Sequence, residues 1–123
     1  MIQNSTELNR KRFPRSVRLL KAAEYRWVFE KPVKIHKHGF SVYFRAHDRS
    51  TARLGLAIPK KALRKAVDRN RIKRLVRESF RCNLYRIQSC DVIFLARKEL
   101  ADIDNQHLRV LLDKVWDQLK TKP

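Results

Sequence analysis

A chain of 123 residues has room for one compact domain with a modest core, and not for two. Thirty Lys and Arg against twelve Asp and Glu leave a formal charge of +18, a self-repulsion that only a polyanionic partner relieves readily. The apolar fraction of 43%, with six Phe, three Tyr and two Trp, excludes a disordered basic tail and predicts a folded cation.

Residues 1–15 are polar and end in the basic run NRKRFPR, where Pro14 discourages a helix through Arg15, so this stretch reads as a flexible lead-in to a single domain over residues 16–120. The lead-in has no apolar middle of the kind a signal peptide carries, and no apolar run reaches the length of a membrane span. A cytoplasmic protein with no membrane partner is expected.

From Ser16 the pattern becomes helical, with Leu19, Leu20, Ala23, Trp27 and Val28 recurring at three- and four-residue steps until Pro32; a helix is predicted over about 20–30, with Leu20, Ala23 and Trp27 as its core stripe. Tyr25 and Phe29, spaced i and i+4, share another side of it. Residues 33–37 are a possible strand. Residues 40–48 alternate Phe40, Val42, Phe44, Ala46 against Ser41, Tyr43, Arg45, His47, the period of a half-buried strand. Over 52–59 Leu54, Leu56 and Ile58 alternate with the small Gly55 and Ala57, which leaves room for something to approach that face of the sheet. The unbroken apolar run of 90–97 suits a strand covered on both faces, in the middle of the sheet. Residues 104–120 place Leu108, Leu111, Leu112, Val115, Trp116 and Leu119 on one stripe behind Asp104 as N-cap, the clearest core-packing helix in the chain. The order α-β-β-β-α-β-α predicts an α+β fold, a two-layer sandwich of three helices on a small mixed sheet of about four strands.

The segment that carries chemistry is VDRNRIKRLVRESFR, residues 67–81. As a helix over 68–84 it puts Ile72, Leu75, Val76, Ser79, Phe80, Asn83 and Leu84 on one side and Asn70, Lys73, Arg74, Arg77 and Arg81 on the other. A solvated helix face mixes signs, yet Glu78 is the only acid after Asp68, and Arg77 and Arg81 stand as a like-charged i, i+4 pair. Arg predominates, and its planar fork binds phosphate bidentately and stacks on bases. Lys60, Lys61, Arg64 and Lys65 extend the charge back to the end of the preceding strand, as a groove that tracks a nucleic-acid backbone would require. A strand and Pro59, rather than a positioning helix and tight turn, precede the basic helix, which argues against DNA reading by a helix-turn-helix. Charge alone leaves RNA or DNA open, and aromatic rings beside the groove favour a single-stranded nucleic acid, with Tyr25, Phe29 and Tyr43 as candidate platforms.

The string RLGLAIPKKALRKAVDRNRIKRLVRESFR resembles the central block of the bacterial ribonuclease P protein subunit, with Arg69, Asn70 and Arg71 as its Arg-Asn-Arg core. LLKAAEYRWVF, FSVYF, DVIFLARKEL and LRVLLDKVW resemble the family's first helix, a strand, the last strand and the final helix, so the likeness runs over about 16–119. The resemblance implies that the basic helix sits in a left-handed βαβ crossover, against the usual right-handed rule. It also implies a protein cofactor of a ribozyme that removes the 5′ leader from precursor tRNA, one protein per RNA, with the catalysis and most of the Mg²⁺ binding belonging to the RNA subunit. By position, Arg69, Asn70, Arg71, Lys73, Arg74 and Arg77, with Lys60, Lys61 and Arg64, are implied to contact that RNA. Tyr25, Phe29, Phe40 and Tyr43 are implied to line a cleft for the single-stranded leader, Tyr25 standing where many members have Phe.

The residues themselves offer no rival catalytic apparatus. No Ser, His, Asp constellation accompanies the basic helix, and His36 and His38 lack acidic neighbours in sequence. Cys82 and Cys90 match no zinc or redox spacing and read as reduced thiols, so no metal site of the protein's own is expected. Asp102 and Asp104, the one close acidic pair in a non-helical stretch, read as helix-capping residues. The competing class is a structural ribosomal RNA-binding protein, which would carry long basic tails that this chain largely lacks.

Overall fold

Alternation along the strands decides the architecture. In the computed structural model, which describes residues 15–120, β1 (Val33–Lys37), β2 (Phe40–Ala46), β3 (Arg53–Ala57) and β4 (Cys90–Ala96) form one sheet in the order β1-β2-β4-β3. β2 runs antiparallel to both β1 and β4, while β3 lies parallel to β4. Helix α1 is Ala22–Glu30, α2 is Ala66–Asn83 and α3 is Asn105–Gln118. The mixed sheet with three helices is the α+β fold expected from the sequence. The lead-in expected to be flexible falls, but for Arg15, outside the described residues.

Phe40, Val42, Leu54, Val92 and Phe94 point to one face and pack with the inner sides of α2 and α3, forming the main core. Within it Phe40 stacks on Phe94 at 4.8 Å between ring centroids, and Trp116 meets Phe80 edge-on at 5.5 Å. The Trp116 indole N–H donates to Ser79 Oγ at 2.8 Å, which satisfies a polar group that burial would otherwise strand. The opposite face carries a smaller cluster, Leu19, Val28 and Ile93, against which Tyr25, Trp27, Tyr43 and Ala57 pack. The expected α+β sandwich of sheet and helices is therefore present, but helices cover both faces, α2 and α3 on one and α1 on the other, and the two layers expected become three.

α2 forms despite its like charges. Ile72, Leu75, Val76 and Phe80 are buried, which contributes on the order of 6–12 kcal/mol of transfer free energy. Each like-charged i, i+4 pair opposes this by only about 0.2–0.5 kcal/mol. Asp68 in its first turn and Arg81 in its last also suit the helix dipole. α2 connects parallel strands, so it spans the β3-to-β4 crossover with its basic face turned outward. β3 is an edge strand whose free side is met by the preceding segment: Arg18 bridges Leu54 in parallel, and the Leu19 N–H donates to the Leu54 carbonyl at 3.0 Å.

Two further expectations are corrected. The α1 stripe of Leu20, Ala23 and Trp27 is not its core face: Leu20 is 48% exposed, Ala23 is exposed and Trp27 half-buried, while Val28 is the buried residue of the helix. The helix begins later than the apolar pattern, because Glu24 Oε1 accepts the N–H groups of Leu20 and Lys21 and fixes the start at Ala22. The run at 90–97 is not wholly apolar in its role: Asp91, 1% exposed, is a buried carboxylate.

Candidate nucleic-acid interface

The exposed side of α2 presents Asn70, Arg74 and Arg77 to solvent, with Lys73 half-buried beside them. Lys60, Lys61 and Arg64 are exposed on the loop that enters the helix, a loop anchored by the buried Leu63. Among the described residues no carboxylate lies within ion-pair distance of Lys60, Lys61, Arg64, Arg69, Lys73, Arg74 or Arg77; the ion pairs lie elsewhere, at Arg45, His47, Arg53, Arg86 and Lys120. Among the described residues the ridge is an array of cations without counter-charge.

Two of the expected contact residues also have structural duties. Arg69 turns back, its Nη1 donating to the carbonyls of Leu63 and Arg64 at 2.8 Å each, and so holds the Lys60–Arg64 loop against the helix. Arg71 points the other way and donates to Asn105 Oδ1 at the start of α3. Asp104 caps that helix by accepting the His107 N–H at 2.7 Å, the role expected of it.

The aromatic cleft lies on the other face of the sheet. Tyr25 rests on β3: a Cβ added at Gly55 would come within 2.8 Å of its ring, so the room left by the small-residue face is filled by Tyr25 itself. The Tyr25 hydroxyl reaches the Leu19 carbonyl at 3.4 Å. Phe29, 46% exposed, meets Tyr43 at 5.2 Å between centroids with the rings tilted by 59°. Tyr25, Phe29 and Tyr43 thus gather on one face. Phe40 does not: it is fully buried on the opposite face against Phe94, because its register in β2 is one residue out of phase with Tyr43, and it cannot line the cleft.

Arg77 on the ridge lies near enough to Arg18 and to Tyr25 of the cleft to feel the charge of both. Burial, then the nearby positive charge of Arg18, lower its pKa below the usual guanidinium range, and the Tyr25 phenol acts in the opposite sense. A cation held among such neighbours gains from an incoming phosphate.

Beneath the cleft lies a network the sequence pattern did not reveal. Arg53 donates from Nε and Nη2 to the two oxygens of Asp91 at 2.9 and 2.7 Å, and from Nη1 to Glu24 Oε2 at 2.9 Å. His47 completes it: its Nδ1 faces the Arg49 N–H at 3.1 Å and must accept, so Nε2 carries the proton donated to Asp91 Oδ1 at 3.0 Å. The first turn of α1 is thereby locked to β3, to β4 and to the residue that follows β2. Arg45 adds a second clamp, its guanidinium 4.0 Å from the Trp27 ring centre and its Nη1 donating to the Trp27 carbonyl at 2.8 Å. In the sequence Arg45 and His47 stand only as the polar side of an ordinary alternation, and Asp91 as one acid in an apolar run, so nothing there joins them.

Comparison with known proteins agrees with this geometry. The family model described as Ribonuclease P matches residues 13–120. The chain belongs to the ribonuclease P protein family. The ribonuclease P protein component of Thioalkalivibrio sulfidiphilus is 45% identical over 109 residues, covering 89% of this chain and 91% of that one. The RNase P protein of Staphylococcus aureus superposes with a TM-score of 0.79 at 28% identity, over 85% of this chain and 98% of that one. The Thermotoga maritima RNase P protein does so with a TM-score of 0.74 at 28% identity and the same coverage. The chain is thus the protein component of an endoribonuclease that works with an RNase P RNA in tRNA processing.

Among the described residues no three His, Cys, Asp or Glu side chains are grouped to hold a metal ion, and no helix is long and apolar enough to cross a membrane. Cys82 is exposed; Cys90 is buried, which pushes its thiol up to about 12 and keeps it protonated.

Proposed function

We propose that this ribonuclease P protein binds the catalytic RNA through the exposed cations of α2 and of the loop before it, and binds the single-stranded 5′ leader of precursor tRNA in the cleft of Tyr25, Phe29 and Tyr43. The observation that carries the reading is the ridge itself: Lys60, Lys61, Arg64, Lys73, Arg74 and Arg77 share one surface without carboxylate partners among the described residues. Such an array is stabilised by phosphates, which it neutralises with release of counterions. Rings on the other face of the sheet suit unstacked bases, and Arg77, within electrostatic reach of Tyr25, suits a strand that passes from one surface to the other.

On this reading the RNA subunit performs the hydrolysis and holds the Mg²⁺, while the protein contributes binding energy and charge neutralisation. One protein serves one RNA. Arg69 and Arg71 act by placing the Lys60–Arg64 loop and the start of α3, and Arg74 acts by direct phosphate contact.

Reconstitution tests this. Added to a bacterial RNase P RNA at low Mg²⁺, the protein should restore cleavage of precursor tRNA, and the holoenzyme should bind leader-bearing substrate more tightly than mature tRNA. Cleavage by the protein alone, or equal affinity for the two tRNAs, would overturn the reading, and failure to stimulate any RNase P RNA would favour a structural ribosomal role.

A further inference from the structure

α2 ends in a short 3₁₀ turn, Leu84–Arg86, whose three side chains fare differently. Leu84 packs against the main core, and Arg86 is held by Asn83 Oδ1 at 2.9 Å and Asp117 Oδ1 at 2.7 Å. Tyr85 is 85% exposed, the most exposed of the large apolar side chains among the described residues. It follows Arg81 by four residues and shares with it a surface depression of about 630 Å³, lined also by Ser50, Thr51, Gln88 and Ser89. Among the described residues no carboxylate lines that depression.

We propose that Tyr85 is a second stacking platform, which holds an unpaired base of the RNase P RNA where the cationic ridge runs out. Each part has its chemistry. The ring offers a face to any base, and a phenol at the surface keeps its hydroxyl solvated. Arg81 places a positive charge within reach of the phosphate joined to that nucleotide. The hydroxyls of Ser50, Thr51 and Ser89 and the amide of Gln88 can donate and accept, as a base edge requires, without repelling an anion. The occupant is the RNA subunit because the platform continues the α2 surface, whereas the leader cleft lies across the sheet beside α1. This inference rests on the reading that α2 faces that RNA.

The test is binding of the whole protein to a bacterial RNase P RNA, titrated at several salt concentrations for wild type, Tyr85→Ala, Tyr85→Phe and Arg74→Ala. Tyr85→Ala should weaken binding by between about 5- and 150-fold, the range of a single base stacked on an aromatic ring. Tyr85→Phe should stay within about twofold, and thermal stability should not change in either variant, since the ring is not part of the core. The salt slope should match wild type for Tyr85→Ala, because no charge is removed, and should fall by roughly 0.7–0.9 for Arg74→Ala. If Tyr85→Ala binds like wild type while Arg74→Ala is weakened, the platform is wrong and the ridge stands. If neither is weakened, the ridge reading falls as well. A slope reduced in Tyr85→Ala would mean that the loss came from displacing Arg81, and a loss seen only for leader-bearing substrate at the assembled holoenzyme would assign the ring to the precursor; either overturns the proposal.

Discussion

Replacing Arg53 by Met keeps most of the side-chain volume and removes the charge that joins α1 to the sheet. The Arg53 side chain is 12% exposed and that of Asp91 2%, so the substitution strands a carboxylate in the interior with His47 as its one remaining partner. Breaking a buried pair in this way costs about 3–5 kcal/mol, out of a total stability of about 5–15 kcal/mol for a domain. At roughly 3–5 °C per kcal/mol for a chain of this length, the melting temperature should fall by roughly 10–25 °C. Urea and thermal unfolding followed by circular dichroism read this directly. Replacing Asp91 by Leu in the same background removes the stranded charge, so the double variant should recover at least about 1 kcal/mol relative to Arg53→Met. A loss below about 1 kcal/mol for Arg53→Met, or costs that simply add in the double variant, would refute the reasoning that these groups form one coupled buried network.

Three further outcomes follow from the same geometry. Gly55→Ala places a methyl against the Tyr25 ring, so the holoenzyme should bind leader-bearing precursor several-fold less tightly while the protein's affinity for the RNA subunit is unchanged; equal effects on both would detach Tyr25 from the leader. Arg69→Ala should lower stability by about 1–2 kcal/mol, because two carbonyls of the Lys60–Arg64 loop lose a charged donor, whereas Arg74→Ala should weaken RNA binding with no change in melting temperature. Glu24 has its pKa lowered by the backbone N–H of Lys21, then that of Leu20, then by Arg53. A depressed carboxylate adds stability that is present above its ordinary range and is lost as the pH falls through its lower folded value. Glu24→Gln should therefore be less stable than wild type at neutral pH, with the gap closing in acid; a gap that stays constant with pH would remove the charge of Glu24 from the explanation.

Where a segment has a single periodicity, the sequence alone was enough. The buried side of α2 and the stripe of α3 repeat every three or four residues, and Asp104 caps where a cap was expected. β4 was legible as central from its apolar run, since it pairs with a strand on each side. The register of α1 was not legible, because Leu20, Trp27 and Val28 offer two overlapping stripes and what selects between them is a long-range ion pair from Glu24 to Arg53. Phe40 differs for another reason. The alternation of 40–48 already sets Phe40 and Tyr43 on opposite faces, and the structure keeps them there, so the cleft position implied for Phe40 by the family resemblance conflicts with the strand's own period. The ridge was visible as charge density, but the division of labour within it was not, since Arg69 and Arg74 look alike in sequence and differ only in which carbonyls lie nearby.

The most direct measurement is the salt dependence of binding between the whole protein and an RNase P RNA. With about six phosphate contacts from Lys60, Lys61, Arg64, Lys73, Arg74 and Arg77, log K should fall against log salt with a slope of about −4 to −5.5. A slope near zero, or one left unchanged when Lys73, Arg74 and Arg77 are all replaced by Ala, would show that this surface is not where the RNA lies.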